Sequence, residues 1–71
     1  MDYMKDALRI RAFRKLKGFT QNELAERIGV SVSVLGAVER GVRKADDRLV
    51  GLISEALDIP VDELLPDANR Q

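Results

Sequence analysis

Residues 20–41, TQNELAERIGVSVSVLGAVERG, decide how the rest of the chain is read. Thr20 followed three residues later by Glu23 is a capping box, in which the hydroxyl accepts from the first turn and the carboxylate reaches back. It opens a helix over residues 21–28 with Leu24, Ala25 and Ile28 facing inward. Gly29 stops that helix, and Ser31 supplies an N-cap for another over residues 32–40, with Leu35 and Val38 inward and Gly41 closing it. A helix, a three-residue connection and a second helix have helix-turn-helix length. One pattern competes: Val30, Val32 and Val34 alternate with serines, as in a strand. A lone strand of three or four residues would have no partner, so the segment is expected to be helical.

The same punctuation extends outward. Residues 4–17 form a helix with Ala7, Ile10, Phe13 and Lys17 on one stripe and Leu8, Ala12 and Leu16 widening it, ended by Gly18. "VRKA" is a short basic loop after Gly41, and Asp46 caps a helix over residues 47–57 that carries Leu49, Leu52, Ile53, Ala56 and Leu57. "DIP" breaks it, "VDELL" makes one further turn, and residues 66–71 are expected to fray. The fold class is all-α, a compact bundle of five short helices in a single domain spanning 1–71.

Composition narrows the function. Apolar residues make up 45% of the 71 but aromatics only 4%, so the core must be aliphatic. There is no cysteine and no histidine, which removes disulfides, thiolate chemistry and the commonest general base and metal ligand. An enzyme is not expected, and neither cofactor nor metal is. The best carboxylate group, Asp58, Asp62 and Glu63, has the spacing of capping and solvation of a short helix. With no apolar run of membrane-spanning length and no signal peptide, the expected location is the cytoplasm.

Net charge is zero, yet it is unevenly spread. Residues 1–44 hold ten basic and five acidic side chains, a net of +5, and residues 45–71 hold two basic and seven acidic, a net of −5. The basic half suits a polyanion, with Arg11, Lys15, Lys17, Arg43 and Lys44 available to it. Solvated helix faces with a chance imbalance are the plainer account of the same numbers.

The run RKLKGFTQNELAERIGVS followed by VERG resembles the helix-turn-helix family of phage repressor and Cro-like (Xre-type) regulators. The likeness covers roughly residues 8–65. It rests on Arg14, "TQ.ELA" at 20–25, Gly29, "ERG" at 39–41 and "ALDIP.DELL" at 56–65, strong together and weak singly. It implies a lambda-repressor/Cro-like domain that binds double-stranded DNA as a homodimer on a two-fold-related operator, with the helix of residues 31–40 in the major groove. It also implies a structural pairing of Arg14 with Glu39, which takes Glu39 off the list of DNA contacts. Thr20, Gln21 and Ser31, with Arg43 and Lys44 in the loop, match positions where the family meets phosphates. Capping for Thr20 and solvation for the two cations are the plainer roles.

Val32, Ser33, Gly36 and Ala37 match the family's base-facing positions, and here the chain departs from the pattern, because only Ser33 is polar. Gly36 weakens the helix by about 1 kcal/mol relative to alanine, while its missing side chain would let backbone approach DNA. Three accounts of the valines stand open. Val32 and Val34 could touch thymine methyls, with DNA shape carrying much of the specificity; the apolar face could bind a protein, as an antitoxin or antirepressor would; or the valines could pack inward. For the dimer, Ile59, Val61, Leu64 and Leu65 offer a contact surface; ordinary core is the plainer role for all four and the favoured one for Leu64. No small-molecule ligand is expected.

Overall fold

The computed structural model describes residues 3–66. It contains α1 (Met4–Leu16), α2 (Gln21–Ile28), α3 (Val32–Glu39), α4 (Asp47–Leu57) and α5 (Val61–Leu64), and no strand among the described residues. The fraying expected of residues 66–71 falls outside this range, Pro66 excepted.

The element boundaries follow from caps. Thr20 Oγ1 accepts from the Glu23 N–H at 3.1 Å while Glu23 Oε1 accepts from the Thr20 N–H at 2.8 Å, completing the box. Asp46 accepts from the Leu49 N–H at 2.8 Å and starts α4. All four long helices end by the same device, in which the amide two residues past the last turn donates back across it: Phe19 to Arg14, Val30 to Ala25, Val42 to Ala37 and Ile59 to Ser54. Glycine supplies the left-handed residue in the first three, and Asp58 at φ 56° does so after α4. An aspartate tolerates that conformation better than most side chains.

Ile10, Leu24, Leu35, Ile53, Leu57, Leu64 and Leu65 are fully buried at the centre, without a single aromatic among them. Two expectations need correction. Leu8 and Leu16, placed on the inward stripe of α1, are 54% and 74% exposed, and Ala12 is exposed as well. Arg14 takes the inward position instead, at 7% exposure. Ile59 and Leu65 are core residues rather than a free dimer surface, as is Leu64 in keeping with its favoured role, because the short α5 folds back over α4 and α1; Val61 alone of that set is half-buried. Arg9 holds this closure: its Nε donates to the Leu64 carbonyl at 2.8 Å and its Nη2 to that of Glu63 at 2.6 Å, with the guanidinium 5.5 Å from the centre of the Phe13 ring.

At Gly41 the chain leaving α3 comes close to the start of α1. The glycine has φ 78°, and a Cβ there would lie 2.9 Å from Met4 Cε and 3.1 Å from Met4 Cα. Backbone cannot yield as a side chain can. Gly41→Ala is expected to cost about 1–2 kcal/mol from the left-handed conformation and the clash, read as a drop in Tm of about 4–8 °C per kcal/mol in thermal unfolding.

Candidate nucleic-acid interface

The inner face of α3 fixes where its outer face points. Leu35 and Val38 enter the core, and Glu39, 5% exposed, accepts hydrogen bonds from two other elements. Arg14 Nε donates to Glu39 Oε2 at 2.7 Å and Arg14 Nη2 to Oε1 at 3.0 Å, the two-pronged geometry that a guanidinium makes with a carboxylate. The remaining Arg14 prong, Nη1, donates to the Phe19 carbonyl at 2.7 Å, and Gln21 Nε2 donates to Glu39 Oε1 at 3.1 Å. One carboxylate therefore joins α1, the start of α2 and the last turn of α3. Every buried side-chain polar atom among the described residues has a partner.

The outer side of α3 carries the candidate base-facing residues. Val32 is 39% exposed, Ser33 is exposed and Ala37 is half-buried. Gly36 is not open as the sequence suggested. The point where its Cβ would sit lies 3.2 Å from Arg40 Nη1 and 3.5 Å from Gln21 Oε1, so two side chains cover it. The valines divide: Val30 and Val34 are half-buried, and Val32 alone of the three faces solvent.

The candidate phosphate-facing residues form two groups. Ser31, Arg43 and Lys44 surround one open concavity of about 280 Å³, with Val34 in its wall. Ser31 Oγ accepts from the Val34 N–H at 3.2 Å, and both cations are exposed with no carboxylate within ion-pair distance among the described residues. Thr20 and Gln21 sit at the start of α2. The hydroxyls of Thr20 and Ser31 cap by accepting, which leaves each O–H free to donate outward. The Gln21 side chain is turned toward Glu39, so what it offers outward is the α2 backbone N–H beneath it. Arg40 was not among the residues singled out from sequence. Its place on the stripe of Ser33 and Ala37, at spacings of seven and three, is the signal that could have found it.

Among the described residues no group of three or more His, Cys, Asp or Glu side chains could hold a metal ion, and no helix is long and apolar enough to cross a membrane.

Residues 10–64 match the family model described as helix-turn-helix. The chain belongs to the Cro/C1-type helix-turn-helix family. Members of this helix-turn-helix family are DNA-binding transcriptional regulators and not enzymes. Among its relatives is the uncharacterized HTH-type transcriptional regulator YazB of Bacillus subtilis, 50% identical over 58 residues that cover 82% of this chain and 84% of YazB. The HTH-type transcriptional regulator SinR of the same organism is 37% identical over 63 residues, which span 87% of this chain but 57% of SinR. Crystallised in complex with DNA, SinR superposes with a TM-score of 0.79 at 36% identity, covering 84% of this chain and 97% of that one. The restriction-modification controller protein C.AhdI from Aeromonas hydrophila superposes with a TM-score of 0.84 at 36% identity, covering 89% and 96% of the two chains.

Proposed function

We propose that this chain is a sequence-specific transcriptional regulator that binds a two-fold-related operator as a homodimer, with α3 in the major groove. The observation that carries this reading is that Ser31, at the start of α3, shares one open concavity with Arg43 and Lys44, both exposed and without an ion-pair partner among the described residues, while Ser33 is exposed on the helix itself. Core-directed residues could not take those places, and SinR, of similar fold, has been solved with DNA. Thr20, Ser31, Arg43, Lys44 and the backbone at Gln21 contact phosphates, while Val32, Ser33 and Ala37 face base edges, Val32 by apolar contact with a thymine methyl. The chain works as one domain in the cytoplasm, where its DNA lies. Repression needs only occupancy of the operator, and half-sites fall about 34 Å apart so that two copies enter successive grooves on one side.

The test is selection of bound fragments from a random DNA pool, followed by anisotropy of the enriched site across a salt series. A two-fold-related site should emerge and outcompete bulk DNA. With Arg43 and Lys44 each neutralising one phosphate per copy, log K should fall against log salt with a slope of about −4. Failure to enrich any site would leave a second reading, a protein-interaction module built on the exposed Val32.

A further inference from the structure

Ser33, Gly36 and Ala37 on α3 and Arg40, its C-cap, lie three and four residues apart and so continue one face of the helix. Three of them are small. Side chains on a helix lean toward its N-terminus, so a long residue at position 40 covers the turn before it rather than its own. The structure shows this arrangement: Arg40 Nη1 lies 3.2 Å from the vacant Cβ position of Gly36, and Gln21 Oε1 lies 3.5 Å from the same point. Gly36 is a notch, and the guanidinium is seated across it.

Among the described residues no carboxylate holds that charge. The adjacent carboxylate, Glu39, is buried and already accepts from Arg14 and Gln21, and Arg40 has no ion pair among the described residues. Arg40 is itself exposed, so the outer face of α3 presents one long, uncommitted donor over a stripe otherwise made of a serine and two small residues. A planar guanidinium with paired N–H groups matches the O6 and N7 acceptors of guanine in the major groove.

We propose that Arg40, seated across Gly36, is the specificity-determining residue of this chain and reads a guanine in each half-site. This rests on the DNA-binding reading above. It explains how a recognition helix with only one polar side chain on its central turns discriminates between sequences. It also gives Gly36 a reason other than backbone approach, since a Cβ there would press on the guanidinium at 3.2 Å and make it give way.

Site selection should be run in parallel on the wild-type chain, Arg40→Ala and Arg40→Lys, each checked for an unchanged helical spectrum. The wild type is expected to prefer guanine at one position of each half-site by roughly 5- to 150-fold. Arg40→Ala should lose that preference while keeping the preferences elsewhere in the site. Arg40→Lys, which keeps the charge but not the planar fork, should retain the salt slope and lose most of the guanine preference. If Arg40→Ala weakens all sequences alike and flattens the salt slope by about 1 per copy, Arg40 contacts phosphate and the assignment is wrong. If the wild type itself enriches no site, the DNA-binding reading fails and this inference fails with it, so the two failures are told apart by the wild-type arm.

Discussion

Glu39→Ala is expected to destabilise the fold by about 3–5 kcal/mol, because it leaves the buried Arg14 guanidinium without its counter-charge. The loss goes beyond one ion pair. Glu39 accepts from Arg14 twice and from Gln21 once, and Arg14 also supplies the donor to the Phe19 carbonyl. A domain of this size has only about 5–15 kcal/mol of stability in total. The variant should therefore show a Tm lower by more than about 12 °C, and much of it should be unfolded at growth temperature. The double variant Arg14→Met/Glu39→Leu provides the control. Replacing both charges with apolar residues of similar volume removes the stranded cation, and the cost should fall well below that of Glu39→Ala alone. A double variant as unstable as the single one would show that the cost comes from packing and not from the uncompensated charge.

Reversing two charges should remove DNA binding and leave the fold intact. Arg43 and Lys44 are exposed, have no ion-pair partner among the described residues and add nothing to the core, so Arg43→Glu/Lys44→Glu should melt within about 0.5 kcal/mol of the wild type. On the proposed reading the same pair loses two phosphate contacts per copy and, in a dimer, places four carboxylates against the polyanion. Affinity at low salt should fall by at least about two orders of magnitude, and the salt dependence should flatten toward zero. Anisotropy with the selected site measures both. A variant that keeps near wild-type affinity would move the phosphate-binding surface away from the loop after α3. A complex with a protein partner made through Val32 should survive the reversal, which separates the two functional readings.

The sequence was informative where it is punctuated. Thr20 with Glu23, Gly29, Ser31 and Asp46 bracket α2, α3 and α4, and those helices fall within a residue of the expected spans, since caps act locally. Apolar periodicity was less reliable on α1. It counts Leu8 and Leu16 as core and arginine as surface, whereas burial depends on which elements arrive from elsewhere. The partner that draws Arg14 inward is 25 residues away, and only family likeness pointed to it. Ile59, Leu64 and Leu65 were ambiguous for the same reason, because a short apolar helix looks alike whether it meets a second chain or its own core. Position 36 shows a subtler limit. An absent side chain suggested an opening toward DNA, and the space is filled by a side chain from the following turn.

The division of labour on α3 also bears on how such a protein changes over generations. Leu35, Val38 and Glu39 hold the helix, while Val32, Ser33 and Arg40 are exposed and anchor nothing in the core. Substitutions at those outer positions are nearly free in stability, so, on the proposed reading, mutation can explore new target sequences without passing through unfolded intermediates. Duplicated copies of such a gene could part company in target sequence while keeping one scaffold. On the reading proposed for Arg40 the constraint is at position 36, where a Cβ would crowd the guanidinium, so drift in specificity along this helix should run through residues 32 and 33 first.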